Sequence, residues 1–480
     1  MIKLSNLFPS TIIALPNKKL LLAMNILVGF IIFLVMGLQH TSIGFHDDDY
    51  GMMYNGKYNS IGDVIRVVKN GDCILASNEP LDEKHTPRLS FLEVIYRPLL
   101  VLVMGTHYKF FGLKPYKFHL IHTALHTINS LIIFNTLAIL VHPWSGLVAA
   151  LFFGLHTSLK EYFFWQCYVQ NSLQGLLFLI VLTLLCWWLA RRPMHKQLFI
   201  LANIMLFFGL CLRETLVIFP AIPIIAILLF SKEKWQQRLN ECFFAGSLFS
   251  IPVISYLALR LWAYPLTTQI ASLGIFSVTK TTVSFKDKFF DLLTCFFDLI
   301  GLKWLPNGST LSLCLKLTII ALLISGIVLL WRNNPYKGLL VLLSFSILIL
   351  CWPSFFVHCS RYIYLPVILL ALLIGLLVKP LFMANTAKQW KWLFLSCGLV
   401  YVFLQGVITN KALSKWVHYS ALETVGIEAD VKSIHAGISP IHSSSKIVPN
   451  VGYRSALKLY GIKDSLAHTR TTKCLSMPHH

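Results

Sequence analysis

The chain has 480 residues, 56% of them hydrophobic and only 13% charged, with a mean hydropathy of +0.68. Soluble domains carry about 25% charged residues, so a soluble globular protein is excluded. The net charge of +21 resides in short segments between apolar runs, where membrane topology and lipid headgroups account for it and nucleic acid need not be invoked.

Apolar runs of about the 20 residues needed to cross a bilayer predict an all-α polytopic membrane protein. The predicted spans are 20–38, 119–141, 146–158, 171–190, 196–212, 214–230, 241–262, 311–331, 338–357, 362–379 and 391–409. The first run is long for a signal peptide and lacks a small-residue cleavage site, so it is read as a retained helix. Directly after it, GFHDDDYGMMYNG (44–56) places Asp47, Asp48 and Asp49 side by side. Three readings stand: a solvated loop start, oxygen ligands for a divalent cation, or a general base.

Residues 99–111 are apolar but too short to span, and read as an interfacial helix. FHLIHTALHTINS then carries His119, His122, His126 and Asn129 at helical spacing, one polar stripe on an apolar helix. Such a stripe either ligates a metal or, without an accompanying carboxylate or Cys, makes interhelical hydrogen bonds or lines a polar cavity. The short span at 146–158 is expected to continue through the aromatic residues 162–165. Leu212-Arg213-Glu214 reads as a tight turn between two spans. Residues 411–433 can form an amphipathic helix, with Trp416, Leu422 and Val425 on one face. Most of the 11 cysteines, among them Cys186, Cys211, Cys314 and Cys351, lie inside apolar runs without a CxxC pattern, as small buried hydrophobes do.

Loop charge orients the chain. With the N-terminus in the cytoplasm, the later inside loops hold eleven Lys and Arg residues, and the short outside loops hold three: Lys160, Arg213 and Arg361. That bias satisfies the positive-inside rule. It places residues 41–117 in a long first extracytoplasmic loop, 263–310 in a second, and the tail from 410 on the same side. On that face Lys160 adjoins Glu161, Arg213 adjoins Glu214, Arg361 adjoins Tyr362, and Arg97 lies between Tyr96 and Pro98. Each alone fits snorkelling to headgroups; together they fit a cavity for an anion.

Six segments, in order, carry a family pattern: HDDDYGMMYN (46–55), YRPLLVL (96–102), FGLKPYKFHLIHTALHTINSLI (111–132), GLHTSLKEYFFW (154–165), RETLVIFP (213–220) and SRYIYLP (360–366). The chain resembles the GT-C superfamily of membrane glycosyltransferases, especially the O-mannosyltransferase branch with tetratricopeptide repeats and its bacterial relatives. The resemblance implies a GT-C-like bundle of about eleven helices over residues 1–409 and a short extracytoplasmic tail over 410–480. It also implies a polyprenyl-phosphate sugar donor, inverting transfer without a nucleotide, and an active site facing away from the cytoplasm. Asp47 and Asp48 fall on the family's acidic pair, with Asp49 blurring the register, and one of them would be the base. Asn55 stands at the expected distance. Glu161 matches the acidic residue of the next outward loop. Arg213, followed by Glu214, falls where the family often has Lys, and Arg361-Tyr362 matches its Arg-Tyr element. With Arg97 and His126, these form the implied substrate-binding set, with Arg213 and Arg361 the candidates for the donor phosphate.

His156-Thr157 stands where the family has His-Pro, and the tail has a Trp-bearing segment but no repeat array. A lipid or envelope glycan acceptor is therefore expected alongside protein, and a bacterial inner membrane as the location. A divalent cation on the aspartates stays an alternative, and no other cofactor is assigned. A flippase for lipid-linked saccharides would favour inverted repeats or ionisable residues at mid-membrane, and a non-catalytic assembly protein would not need the Asp and Arg motifs.

Overall fold

A computed structural model describes residues 18–37, 43–45, 48–70, 96–159, 165–190, 196–231, 234–263 and 363–383. It also describes residues 299, 342–344, 346–348, 350–351, 396, 427–433, 435–436 and 459–460. Among the described residues the chain is helical and has no strand. The helices are α1 (Lys18–Gly37), α2 (Asp48–Asn55), α3 (Ile61–Asn70), α4 (Pro98–Phe111), α5 (Pro115–Leu140) and α6 (Pro143–Gly154). There follow α7 (Val169–Ala190), α8 (Lys196–Leu212), α9 (Ala221–Phe230), α10 (Trp235–Ala263) and α11 (Tyr364–Met383).

Four helical stretches among the described residues are long and apolar enough to cross a membrane: Lys18–Gly37, Pro115–Leu140, Gln166–Leu185 and Trp235–Ala263. The chain is thus an integral membrane protein. The predicted span 311–331 lies outside the described residues, as do most of 391–409 and most of the tail helix; the described residues of the span 338–357 (342–344, 346–348 and 350–351) are helical, as are residues 427–433 of the tail.

Local chemistry sets the helix ends. α4, α5 and α6 each open on proline, whose fixed φ and missing N–H suit a first turn. α4 has 14 residues, about 21 Å, too short to span. It closes at Gly112 with φ 60°, a left-handed conformation that only glycine adopts without strain. α6 stops at Gly154, earlier than its sequence predicts, and the 3-10 turn Thr157–Leu159 follows; residues 160–164, which include most of the predicted continuation, lie outside the described residues.

α5 is the centre of one helix group, against which α1, α6, α7 and α11 pack. It runs antiparallel to α1: Gly37 faces Thr123, Gly29 faces Leu131, and Asn25 and Asn135 exchange amide hydrogen bonds of 3.0 and 2.7 Å. Such a reciprocal pair satisfies both amides where water is absent. Met24, Val28, Ile32 and Met36 of α1 bury against Phe134, Ala138 and Ala150. A second group packs α8 between α7, α10 and α4. α2 lies across α4 at Gly56 and Gly105, where a Cβ on either glycine would strike the other's backbone. That close crossing fixes the segment that begins with the aspartates.

Candidate functional site

Polar residues gather where α7 begins and α8 ends. Asp48 opens α2, and the Asp49 side chain is fully buried. Its Oδ1 accepts the Cys167 backbone N–H at 2.7 Å. Cys167 lies in the 3-10 turn Gln166–Tyr168 that leads into α7, so Asp49 occupies the electropositive start of a helix, a favourable place for a carboxylate. α2 packs directly on this turn. Asn55 ends α2 and is half-buried.

Arg97 precedes α4. Its Nε and Nη2 donate to Oε2 and Oε1 of Glu214 at 3.1 and 2.8 Å, a two-pronged guanidinium–carboxylate pair. Glu214 starts the 3-10 turn Glu214–Ile218, and Arg213 before it is extended, with φ −164° and ψ 136°. Leu212-Arg213-Glu214 is therefore a tight turn, as its charges predict. The buried Arg213 guanidinium donates to Asn171 Oδ1 on α7. Gln174 of α7 donates to the carbonyls of Gly209 (3.1 Å) and Arg213 (2.6 Å), and accepts from the Thr215 hydroxyl at 3.0 Å. The Tyr256 hydroxyl of α10 donates to the Tyr96 carbonyl at 3.0 Å. Asp49, Arg97, Arg213 and Glu214 thus share one end of the bundle, held by α2, α4, α7, α8 and α10.

The histidine stripe ties helices together. His119 Nε2 donates to the Ile43 carbonyl at 3.1 Å. His126 Nε2 donates to the Gly154 carbonyl at 3.1 Å, which leaves Nδ1 to accept from the Tyr364 hydroxyl at 2.9 Å. Asn129 donates to the same hydroxyl (3.1 Å) and to the Ser172 carbonyl (2.8 Å). One histidine, one tyrosine and one amide therefore join α5, α6, α7 and α11. Among the described residues no group of three or more His, Cys, Asp or Glu is arranged to hold a metal ion.

Asp47, Lys160, Glu161, Arg361 and Tyr362, with the Asp48 side chain, lie outside the described residues. The structure brings together Asp49, Arg97, Arg213 and Glu214, and places His126 deeper along α5, against Tyr364. Sequence reading missed the buried amides at the start of α7: Gln166, Gln170, Asn171 and Gln174. Their signal was QNSLQ at 170–174, polar residues within an apolar run, which in a bilayer face neighbouring helices. Arg260 near the end of α10 is likewise buried.

No protein-family model matches the sequence, and no curated protein matches it significantly. The structure is similar to that of ArnT from Cupriavidus metallidurans bound to undecaprenyl phosphate, at 13% identity and a TM-score of 0.44, over 94% of this chain and 78% of that one. It is similar to ArnT in the apo state at 13% identity and a TM-score of 0.43, over 93% of this chain and 76% of that one.

Proposed function

We propose that the chain is a GT-C-type membrane glycosyltransferase that moves a sugar from a polyprenyl-phosphate donor to an acceptor outside the cytoplasm. The observation that carries this reading is the meeting of three of its family-like segments at one end of the bundle. The aspartate segment, YRPLLVL and RETLVIFP converge there through Asp49, the Arg97–Glu214 pair and Arg213.

An aspartate takes the proton of an acceptor hydroxyl as that oxygen attacks the anomeric carbon. The carbon–oxygen bond to the donor phosphate breaks with inversion, and polyprenyl phosphate departs with the bonding pair. A phosphate leaving group needs no proton, so one carboxylate suffices where a glycosidase typically uses two. Cationic groups offset the charge growing on the phosphate. Because Asp49 already accepts a backbone N–H at a helix start, we assign the base to Asp47 or Asp48. Arg97 and Glu214 satisfy one another, and serve to position α4 against the α8–α9 turn. Arg213 and Arg361 are the residues we assign to the donor phosphate, Glu161 and Asn55 to placing the substrates, and a lipid or glycan acceptor is favoured.

The test is sugar transfer by membranes containing the chain, supplied with a panel of polyprenyl-phosphate sugars. Wild type consumes a donor, and Asp47→Asn or Asp48→Asn lowers transfer at least about 100-fold, the usual worth of a general base. Absence of transfer by wild type, or full activity in both variants and in Arg361→Ala, overturns the reading.

A further inference from the structure

α3 and α4 build a second surface. α3 turns Val67 inward, and the Val68 carbonyl accepts the Tyr96 hydroxyl at 2.8 Å. Val64 and Val68 are half-buried, whereas its two isoleucines face outward. Ile61 is 81% exposed and Ile65, one turn on, 54%; Phe110 of α4 is 72% exposed. With ten residues, about 15 Å, α3 cannot span a bilayer.

Cations lie on the same two segments. The Lys57 ammonium lies over the Tyr54 and Tyr108 rings at 5.3 and 5.0 Å, and the Lys109 ammonium over Tyr58 at 4.7 Å. The Tyr58 and Thr106 hydroxyls are 3.1 Å apart, and Arg66 donates to the Lys57 carbonyl at 2.9 Å. The 56–70 and 98–117 segments hold Lys57, Arg66, Lys69, Lys109, Lys114 and Lys117 against the single carboxylate of Asp63. That carboxylate is already engaged by Asn59, Ser60 and, at 3.6 Å, Arg66. Lysines resting on aromatic faces keep ammonium hydrogens directed outward. Finally, Lys117 lies over Phe111 at 5.6 Å, which ties the end of α4 to the start of α5, a helix apolar enough to enter the bilayer.

Exposed isoleucines on a short helix whose segments are rich in cations, adjoining a membrane-entering helix, have the chemistry that suits a lipid surface. We propose that the α3–α4 face seats on the bilayer and binds the phosphates of anionic phospholipid headgroups. Ile61, Ile65 and Phe110 enter the acyl boundary, and Lys57 and Lys109 donate to the phosphates. Because α4 begins at Arg97, seating this face also fixes one wall of the candidate site.

The test is amide hydrogen exchange of the full chain in nanodiscs of phosphatidylcholine alone or with 30% phosphatidylglycerol by design, roughly a physiological anionic surface. Amides of 61–70 exchange on the order of tenfold more slowly in the anionic discs, while those of α5 are unchanged. The difference disappears in Lys57→Gln/Lys109→Gln. Should that variant also loosen α5, Ile61→Ser/Ile65→Ser replaces it, since these side chains are exposed, and it too loses the difference. Equal exchange of wild type in both discs overturns the proposal, as does slowing that persists in the variants. So does slowing reproduced in neutral discs by inorganic phosphate or a soluble acidic oligosaccharide. None of these readouts depends on sugar transfer.

Discussion

Asp49 shows how the three aspartates differ once they are folded. Replacing it with Ala strands the Cys167 N–H in a buried place, at a cost of about 1–3 kcal/mol, whereas Asn keeps an acceptor oxygen. Asp49→Ala is therefore expected to lower the melting temperature of the purified protein clearly, and Asp49→Asn to lower it little and to retain transfer activity. Loss of all activity in a well-folded Asp49→Asn would move the base to this residue. The Arg97–Glu214 pair permits a second test at this scale. The Glu214 side chain is 33% exposed and that of Arg97 10%, so solvent screens the pair in part. Removing either partner is expected to cost about 2 kcal/mol, below the ~3–5 kcal/mol of a fully buried pair. Arg97→Ala/Glu214→Ala is expected to lose less than the two single variants combined, with a coupling of about 1–2 kcal/mol measured by thermal unfolding. Simple additivity would show that the pair does not act as a unit. Arg213 and Glu214 were legible in the sequence because two charges interrupted an apolar run. The partner of Arg97 was not legible, since it lies 117 residues away and no local pattern encodes that distance. Nor could three identical aspartates reveal which one a helix start would claim.

Among the elements, α3 carries a pH response in its first turn. Ser60 and Asp63 cap each other: the carboxylate accepts from the Asn59 and Ser60 backbone N–H groups and the Ser60 hydroxyl, and that hydroxyl accepts from the Asp63 N–H. The Asn59 N–H first, then the Ser60 hydroxyl, holds the Asp63 pKa below its ordinary value. The folded pKa is the lower one, so its stabilising contribution is complete above the unfolded value of about 3.9 and disappears as pH falls through the folded pKa. The first-turn amides of α3 are expected to lose exchange protection as pH drops below about 4. Asp63→Asn should flatten that dependence, and an unchanged profile would dissociate the cap from the response. Helix existence was largely readable from hydropathy, as α1, α5, α8 and α10 illustrate. The stop of α6 at Gly154 was not, because aromatic residues beyond it are as apolar as a helix requires. The polar start of α7 escaped notice for a related reason: a few amides scarcely lower a window average, although they determine which face turns inward.

For the whole molecule, α7 starts, α8 ends, α9 starts and α10 ends beside α2 and α4. If this end faces away from the cytoplasm, a reporter fused after Trp416 is expected outside as well, and one fused within residues 191–195 inside. A cytoplasmic reporter after Trp416 would break the count of spans beyond residue 263. What hydropathy could not supply is how closely the helices meet. The Asn25–Asn135 exchange and the His126–Tyr364–Asn129 group depend on register between distant segments, and polar residues in a bilayer reveal only that some partner exists.

The reach of the Arg97–Glu214 pair has a consequence for biosynthesis. When Arg97 leaves the ribosome, its carboxylate partner has not been made. At about 5–20 residues per second, the intervening chain takes on the order of ten seconds to appear. During that interval α4 lacks its contact with Glu214. The site can close only after α8 has been inserted and the turn behind it delivered to the same side. A nascent chain arrested before residue 213 should therefore display a segment around Arg97 open to added protease, and one arrested well past α9 should protect it.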